Sequence, residues 1–444
     1  MVMKVQIISR DTIKPSCPTP LHLRSFKLSL LDQLAPPIYV PIILFYAIDH
    51  NDKRRTIEDI EKCRSRLKKS LSETLTRFYP LAGRIKQDVS IDCNDDGVVY
   101  LDAFVNCKLS EVVNKQPDVD VLKLLFPCEP YSNWTGSQSS SGSEVVLLVQ
   151  VNVFDCGGIA IALCISHKIA DASSLTTFVN AWASTARGSG QTVGSRFEFV
   201  SLFSPMDLGF NTTTWIAKER VVTKRFVFDA SKIAALRTNY ACNASCVENP
   251  TRFEVVSAFM LRRLIEVTRA RKEPVLGSYV ASIAVNLRGR TVPPLPHQSF
   301  GNNCITSLTK FWTNECEKKN WINLVSGLRD AIRKIDNDFI RKLEYEYLNF
   351  VKENTEKLSD DQVEVVKLCF TSWCKFPYYE VNFGWGKPEW VSTITVPFKN
   401  VVVFMDTKSG DGIEAWLNML EEDMAEFERD SEILDFDSTQ IDRK

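Results

Sequence analysis

The 444-residue chain has few histidines, almost no net charge and no long apolar run, and each shortage excludes a class of protein. Its four histidines are scattered and its 13 cysteines include no C-x-x-C pair, so no zinc-type ligand cluster is visible. A net charge of -1 gives no reason to expect nucleic acid or an anionic membrane as a partner. No stretch approaches the roughly 18 apolar residues of a membrane-spanning helix. We therefore expect no metal, no nucleic-acid partner and no membrane span.

Signatures of nucleotide binding and covalent catalysis are missing from the sequence as well. It has no Walker A or Rossmann glycine pattern and no G-x-S-x-G nucleophile elbow. Ser166 adjoins His167, but neighbouring side chains on a strand point to opposite faces, which disfavours a Ser–His pair. The stretch 92–97 (D-C-N-D-D-G) resembles a calcium-binding loop, yet it lacks the terminal Glu, so we interpret it as a turn.

Length and composition predict a globular protein of two domains. The hydrophobic content is 44% and the charged content 25%, and a single core stops growing near ~250–300 residues. Strand and helix patterns alternate in both halves, which predicts an α/β fold of mixed (α+β) sheets flanked by helices. We predict an N-terminal domain over 1–195, a crossover loop over 196–220 and a C-terminal domain over 221–444. Polar and charged residues within Met1–Lys14 interrupt any signal peptide, so we expect a cytoplasmic protein with reduced thiols.

Of the four histidines, only His167 follows a run that is typical of a buried strand, at 159–165. The apolar spacing after residue 171 then predicts a helix. An imidazole at such a strand end is well suited to take a proton near neutral pH. Asp171 is close enough in sequence to brace the ring or the turn; alternatively, it caps the helix that follows. The other histidines lie in predicted loops: His22, His50 and His297.

Two later segments, 371–373 and 382–388, carry the remaining candidates. Thr371, Ser372 and Trp373 close an apolar strand, where hydroxyl and indole donors could bind an oxyanion or simply satisfy the end of a sheet. In N-F-G-W-G-K-P, two glycines frame a tryptophan, which is typical of a tight turn packed by aromatic side chains. We favour this structural interpretation of the second segment.

The histidine motif and the late glycine–tryptophan loop together resemble the plant BAHD acyl-CoA-dependent acyltransferases. The motif is His167-x-x-x-Asp171, and the loop is F-G-W-G-K-P at 383–388. Within this family the chain is most similar to the branch that contains vinorine synthase and related alkaloid or terpenoid O-acetyltransferases. Further matches follow in order along nearly the whole chain, at 18–20, 31–33, 79–84, 154–158, 286–290, 293–296 and 301–302.

The resemblance implies a fold of two chloramphenicol-acetyltransferase-like domains with a channel between them. It implies that acyl-CoA is the co-substrate and that His167 removes a proton from an acceptor hydroxyl. The alkoxide would then attack the thioester directly, with no acyl-enzyme. Asp171 would hold the loop and have a structural role.

The resemblance also assigns roles in the second half of the chain. Trp373 and Thr371 would contact the oxyanion and the substrate, and Ser372 and Thr251 are candidate contacts for CoA. The glycine–tryptophan loop would support the fold away from the chemistry, through Gly384, Trp385 and Gly386.

One departure from the family pattern lies at residue 382. The family normally has Asp there, paired with an arginine in the position of Arg288 or Arg290. Asn382 keeps a hydrogen-bond acceptor but loses the charge. Either the buried arginine loses a partner, or the arrangement is rewired.

The sequence therefore predicts an acyl-CoA-dependent O-acyltransferase that acts on a hydroxyl of an alkaloid or terpenoid. We expect acetyl-CoA as donor, no permanently bound cofactor, no metal, and a monomer. An N-acyltransferase with an amine acceptor is an alternative, and so is a catalytically silent binding protein of the same fold. The intact His167 and Trp373 argue against the silent protein. Ser166 stands where a peptide-condensation domain usually has a second histidine, which argues against that class.

Overall fold

The structure, a computed structural model, divides the chain into two compact units. The first unit combines Met1–Trp215, Pro296–Asn303 and Phe376–Val396. The second unit combines Ile216–Leu295, Cys304–Lys375 and Pro397–Lys444. The structure describes residues 3–47, 56–87, 89–114, 119–129, 144–189, 197, 203–206, 217, 219–243, 247–271, 278–296, 298–312, 321–343, 346 and 365–436.

Both units are discontinuous in sequence, whereas the predicted domains, 1–195 and 221–444, are continuous. Two segments from the second half of the chain, 296–303 and 376–396, join the first unit. Strand pairing explains the second of them, because residues 390–392 pair antiparallel with a strand of the first unit. Most of the predicted crossover loop, 196–220, lies outside the described residues.

The strands form two six-stranded sheets and one four-stranded sheet within the described residues. In chain order they are β1 (Val5–Ile13), β2 (Ser25–Lys27), β3 (Tyr39–Tyr46), β4 (Arg84–Lys86), β5 (Ser90–Asp92), β6 (Val98–Val105), β7 (Glu144–Val145), β8 (Leu147–Phe154), β9 (Ile159–Ser166), β10 (Val221–Phe228), β11 (Ser278–Asn286), β12 (Cys304–Trp312), β13 (Val365–Ser372), β14 (Trp390–Ser392), β15 (Val401–Asp406) and β16 (Ile413–Leu420). The first unit contains the sheets β1-β6-β8-β9-β3-β14 and β2-β5-β4-β7. The second unit contains β10-β16-β15-β13-β11-β12.

Helices accompany the sheets in both units. They are α1 (Leu30–Leu34), α2 (Ile57–Arg77), α3 (Leu109–Val113), α4 (Val119–Lys123), α5 (Ala172–Arg187), α6 (Ala230–Asn243), α7 (Arg252–Arg271), α8 (Trp321–Arg333), and two short helices, Glu421–Arg429 and Ser431–Phe436. The predicted α/β class of mixed sheets with helices is confirmed. Over the described ranges, no helix combines the length and apolar character needed to cross a bilayer.

The central strands of the first sheet position the histidine motif. Every residue of β3, β8 and β9 is buried, which explains why these strands appear in the sequence as mainly apolar runs; the polar exceptions in β8 are Gln150 and Asn152. Strands β8 and β9 pair antiparallel through a tight turn in which Gly157 has φ +85°, a conformation that glycine adopts without strain. Strand β9 thus ends at Ser166, immediately before the catalytic candidate.

Helix α5 fixes the other side of the motif. Asp171 is its N-cap, and Gly188 ends it in the left-handed conformation with φ +66°. Its Trp182 is fully buried, and the indole Nε1 donates to Ser70 Oγ at 3.0 Å and to the Leu67 carbonyl at 3.2 Å on α2. These contacts anchor α5 against α2, so the start of α5 at Asp171 is held in place.

In the second unit, β13 lies between two parallel neighbours, β11 and β15, and the sheet continues antiparallel on both sides. Arg225 on β10 makes a bidentate pair with Glu414 on β16, with N–O distances of 2.7 and 2.8 Å. Helix α7 begins with the capping box that the sequence predicts: Thr251 N–H donates to Glu254 and Glu254 N–H donates to Thr251 Oγ1.

Candidate active site

His167 lies in the turn between β9 and α5, and its backbone is held from the neighbouring strand. The His167 N–H donates to the Ile38 carbonyl at 2.8 Å, and the Ile169 N–H closes the turn onto the Ser166 carbonyl at 3.2 Å. The imidazole is half-buried. The local fold therefore presents one ring from a rigid turn, as expected for a residue with a chemical role.

The side-chain amide of Asn302 defines which ring nitrogen of His167 carries the proton. Asn302 Nδ2 donates to the His167 carbonyl at 2.6 Å and to Asp32 Oδ1 at 2.9 Å, so the amide nitrogen faces two acceptors. Asn302 Oδ1 must then face the ring, and it lies 2.9 Å from His167 Nδ1. Because this oxygen only accepts, the network assigns the proton to Nδ1 and leaves a lone pair on Nε2.

The surroundings of the imidazole favour its neutral form. Burial lowers the pKa of His167 below its ordinary value of about 6.5, and nearby Lys168 adds to this effect. The hydrogen bond of the ring with its own backbone, the charge of Asp171 and the hydrogen bond that the ring donates to Asn302 act in the opposite direction without reversing the shift. A neutral ring with its lone pair on Nε2 is the form that a general base requires near neutral pH.

Asp171 uses both carboxylate oxygens to hold backbone. Oδ1 accepts from the Ser174 N–H at 2.8 Å, which caps α5, and Oδ2 accepts from the Asn303 N–H at 3.0 Å. Ser174 strengthens the same junction, since its hydroxyl donates to the Gly301 carbonyl at 2.9 Å. The bond from Ser174 is the helix cap that one interpretation of Asp171 predicts, and the bond from Asn303 is a contact of the kind that the other interpretation, bracing of the turn, predicts. Asp171 also ties segment 301–303, which carries Asn302, to the histidine turn.

Ser166 occupies a buried position at the end of β9, and its Oγ accepts from the Lys168 N–H at 3.3 Å. His167, by contrast, hydrogen bonds through its ring to Asn302. The contact with Lys168 shows that the Ser166 hydroxyl stabilises the turn. No hydrogen bond between the side chains of Ser166 and His167 occurs among the described residues.

Thr371, Ser372 and Trp373 belong to the second unit, at the end of β13. Trp373 is buried, and its N–H donates to the Phe404 carbonyl at 2.8 Å. Thr371 and Ser372 are in register with β15. The predicted apolar strand that closes at this point is present. Thr251 serves as the cap of α7, so its hydroxyl already accepts a backbone hydrogen bond.

The glycine–tryptophan loop is a turn stabilised from within by Asn382. Its Oδ1 accepts from the Gly384 N–H at 2.8 Å and from the Gly386 N–H at 3.2 Å. Both glycines have φ above +100°, a region that other residues rarely adopt. Phe383 stacks on Trp385 at a centroid distance of 5.7 Å and meets Trp182 edge-on at 5.0 Å. The loop is thus an aromatic-packed turn.

Two arginines lie at this loop among the described residues: Arg66, beside Gly384, and Arg187, at the C-terminal end of α5. Nη1 of Arg187 donates to the Asn382 carbonyl. Arg290 instead donates to the Ile332 and Ile335 carbonyls at 2.9 and 2.6 Å. These bonds satisfy carbonyls at the end of α8. Arg288 is buried, and its Nη1 donates to Oδ1 of Asn286, two residues earlier, at 3.3 Å.

Sequence reasoning assigned no role to Asp32, Asn302 or Arg187. The family pattern matches at 31–33 and 301–302, which include Asp32 and Asn302, but it assigned them no role. The pattern Ser29-x-x-Asp32 is a further local signal, because it is typical of a helix N-terminus, and these two residues cap α1. No group of His, Cys, Asp and Glu side chains that could hold a metal occurs in the part of the chain that the structure describes. His50 and His297 lie outside the described residues.

Comparison with known proteins agrees with the motifs. The model of the Transferase family matches residues 3–434. The chain is 40% identical to stemmadenine O-acetyltransferase of Catharanthus roseus over 430 residues, which is 96% of each protein. It is also 40% identical to limonoid 21-O-acetyltransferase of Melia azedarach over 442 residues, 98% of this chain and 99% of the relative. The crystal structure of vinorine synthase is similar with a TM-score of 0.82 at 36% identity, covering 98% of this chain and 99% of that one.

A histidine held in the turn of an H-x-x-x-D motif, a match over nearly the whole length and relatives that are O-acetyltransferases all agree with the resemblance identified from the sequence. The chain belongs to the BAHD family of acyl-CoA-dependent acyltransferases.

Proposed function

We propose that the protein transfers an acetyl group from acetyl-CoA to a hydroxyl group of a polycyclic alkaloid or terpenoid, with His167 as the general base. The observation that carries the proposal is the hydrogen bond between His167 Nδ1 and Asn302 Oδ1, because it leaves Nε2 as the basic atom of a neutral ring. Among the described residues, Nε2 has no hydrogen-bond partner.

The reaction follows from this geometry. Nε2 takes the proton of the acceptor hydroxyl as the oxygen attacks the thioester carbonyl, so an O–H bond breaks while N–H and C–O bonds form. The tetrahedral intermediate collapses with cleavage of the C–S bond. The imidazolium then returns its proton to the CoA thiolate, and the base is regenerated. No residue of the chain is acylated at any stage.

The acceptor class rests on the relatives. Stemmadenine O-acetyltransferase is named for an alkaloid and limonoid 21-O-acetyltransferase for a terpenoid, and both names specify transfer to oxygen. Trp373 and Thr371 remain proposed donors to the acyl oxygen or the substrate. Ser372 and Thr251 remain proposed CoA contacts, although the hydroxyl of Thr251 also caps α7.

The proposal carries forward three further predictions from the sequence. The enzyme is expected to be a cytoplasmic monomer, to hold no permanent cofactor or metal, and to act without nucleic-acid or membrane partners. The near-neutral charge of the chain and its scattered histidines support the last two. Mass photometry of the purified protein would report the oligomeric state.

The test is incubation of purified protein with acetyl-CoA and a panel of alkaloid and triterpenoid alcohols, read by mass spectrometry and by release of the CoA thiol. We expect one or more alcohols to gain an acetyl group with equimolar thiol release. Matched amines in the same panel address the N-acyl alternative, and acetylation of amines alone would overturn transfer to oxygen. Thermal stabilisation by CoA with no product from any acceptor would favour the silent binding protein.

A further inference from the structure

Asp32 is a buried carboxylate that accepts four hydrogen bonds and lies one residue away from direct contact with the histidine ring. It is 2% exposed. Its Oδ2 accepts from the Ser29 N–H at 2.9 Å and from Ser29 Oγ at 2.7 Å. Its Oδ1 accepts from the Asn302 N–H at 2.8 Å and from Asn302 Nδ2 at 2.9 Å. Oδ2 therefore takes part in the cap of α1, and both hydrogen bonds described for Oδ1 come from Asn302.

The donors around Asp32 match an ionised carboxylate. Burial raises the pKa of Asp32 above its ordinary value, and the bonds from Ser29 and Asn302 offset part of this rise without reversing it. Three of the four donors are N–H groups, which cannot accept a proton in return. The cap of α1 uses only Oδ2 of Asp32. The two hydrogen bonds to Oδ1 are therefore not needed for capping.

The hydrogen bond that Asn302 Nδ2 donates to Asp32 Oδ1 restricts the rotation of the Asn302 amide. In the observed orientation the NH2 group faces Asp32 Oδ1 and the His167 carbonyl, and the amide oxygen faces His167 Nδ1. A flipped amide would place its oxygen against a carboxylate and a carbonyl. The charge-assisted bond to Asp32 makes this flip unfavourable.

We infer that Asp32 is a positioning residue for the base, which fixes the Asn302 amide and through it the proton on His167 Nδ1. The inference rests on the proposed function, in which Nε2 is the atom that takes the acceptor proton. Without the carboxylate, the amide can turn and donate to Nδ1, so the ring proton moves to Nε2 and the basic lone pair is lost from that atom. Asp32 itself never touches the substrate in this scheme.

The chain offers a matched pair of variants to separate this role from helix capping. Asp32→Ala removes both carboxylate oxygens, and with them the bonds to Ser29 and to Asn302. Ser29→Ala removes the capping hydroxyl but leaves Oδ1 and its two bonds to Asn302. If Asp32 acts only as a cap, the two variants should behave alike. If it positions the base, only Asp32→Ala should affect the histidine.

The direct measurement is the tautomer of His167, read from two-bond 1H–15N correlations of protein labelled with 15N-histidine at alkaline pH. Loss of one signal in His167→Gln identifies the residue. We expect the Nδ1–H tautomer in the wild type and in Ser29→Ala, and a substantial Nε2–H population in Asp32→Ala. The kcat for acetyl transfer should fall by about tenfold or more in Asp32→Ala, up to the roughly 10²–10⁴-fold that general-base catalysis supplies, while KM for acetyl-CoA stays nearly constant.

Either of two results would overturn the inference: a wild-type Nε2–H tautomer, or an Asp32→Ala protein that keeps both the Nδ1–H tautomer and the wild-type kcat. If Ser29→Ala lost as much kcat as Asp32→Ala, Asp32 would act only as a helix cap, and the inference would be overturned as well. Should Asp32→Ala fail to fold, Asn302→Ala keeps the backbone bond to Asp32 and removes only the amide; an unchanged tautomer there would refute the positioning role. The tautomer is read without substrate, so absence of acetyl transfer by the wild type would defeat the proposed function and leave this result standing.

Discussion

The carboxylate of Asp171 accepts a 3.0 Å hydrogen bond from the backbone N–H of Asn303, a residue 132 positions later in the chain. Its other oxygen caps α5. One side chain thus joins the histidine turn to the segment that supplies Asn302. The residue at the end of the H-x-x-x-D motif thus holds the histidine turn in place through two backbone N–H groups.

Asp171→Asn should therefore lower stability more clearly than it lowers chemistry. The amide keeps one acceptor oxygen, and its NH2 group must face the other backbone N–H. Loss of a cap costs about 1 kcal/mol, and a buried N–H left unsatisfied costs roughly 1–3 kcal/mol. We expect a lower melting temperature and a smaller loss of kcat than in His167→Ala. An unchanged melting temperature together with complete loss of activity would instead indicate a direct chemical role.

His167→Ala should abolish transfer while the protein stays folded and binds CoA with nearly unchanged affinity. General-base catalysis contributes roughly 10²–10⁴-fold to the rate. His22→Ala is the matched control, because His22 is exposed in the short helix Leu21–Leu23. Rates come from thiol release, and affinity from calorimetry. Near-native turnover in His167→Ala would show that another group is the base.

The pH dependence of kcat/KM should report a base that is neutral over an unusually wide range. Burial lowers the pKa of His167 in the folded protein, so kcat/KM should rise with pH, reach half of its maximum below about pH 6.5, and stay level above that value. The contribution of this residue to stability has the same sign: it is fully present above its unfolded pKa and is lost as the pH falls through the folded pKa.

Asp171 raises the pKa of His167, so Asp171→Asn should move the midpoint of the kcat/KM profile to lower pH. A midpoint above 6.5 in the wild type would contradict a neutral, buried base.

Asn382→Asp should stabilise the first unit by an amount up to about 1 kcal/mol, since burial of a charge offsets part of the attraction. The new carboxylate can still accept from Gly384 and Gly386, and it adds a negative charge beside Arg187. The measurement is a double-mutant cycle with Arg187→Ala, in which the gain should disappear. A lower melting temperature for Asn382→Asp would indicate that the carboxylate lacks a partner.

Exhaustive chelation should leave acetyl transfer unchanged. The proposed chemistry uses only an imidazole and the substrates, so a metal has no step to serve. The check is activity after dialysis against a chelator, with elemental analysis of the same sample. Loss of activity that a divalent ion restores would refute the prediction.

The elements around the base could be predicted from sequence because their signals are local. An apolar run marked β9, helical spacing marked α5, and the pattern of histidine and aspartate marked the turn between them. Asn302, Asp32 and Arg187 could not be assigned roles, since their partners are 135, 270 and 195 residues away in sequence. No periodicity reports such separations, and an asparagine or aspartate looks the same in a sequence whether or not it contacts a histidine ring or its support.

The interleaved segments of the first unit affect how the protein can be made. Residues 390–392 supply an edge strand to its main sheet, and residue 302 supplies the amide that contacts the His167 ring. During synthesis, the part of the chain that ends near residue 215 leaves the ribosome before residues 390–392 can pair with the sheet edge. At that stage the His167 ring also lacks its contact with Asn302. The unit is complete only after residue 396 has emerged, when nearly all of the chain is present. We therefore expect a fragment of residues 1–215 to aggregate or to need a chaperone, and the two units to mature together.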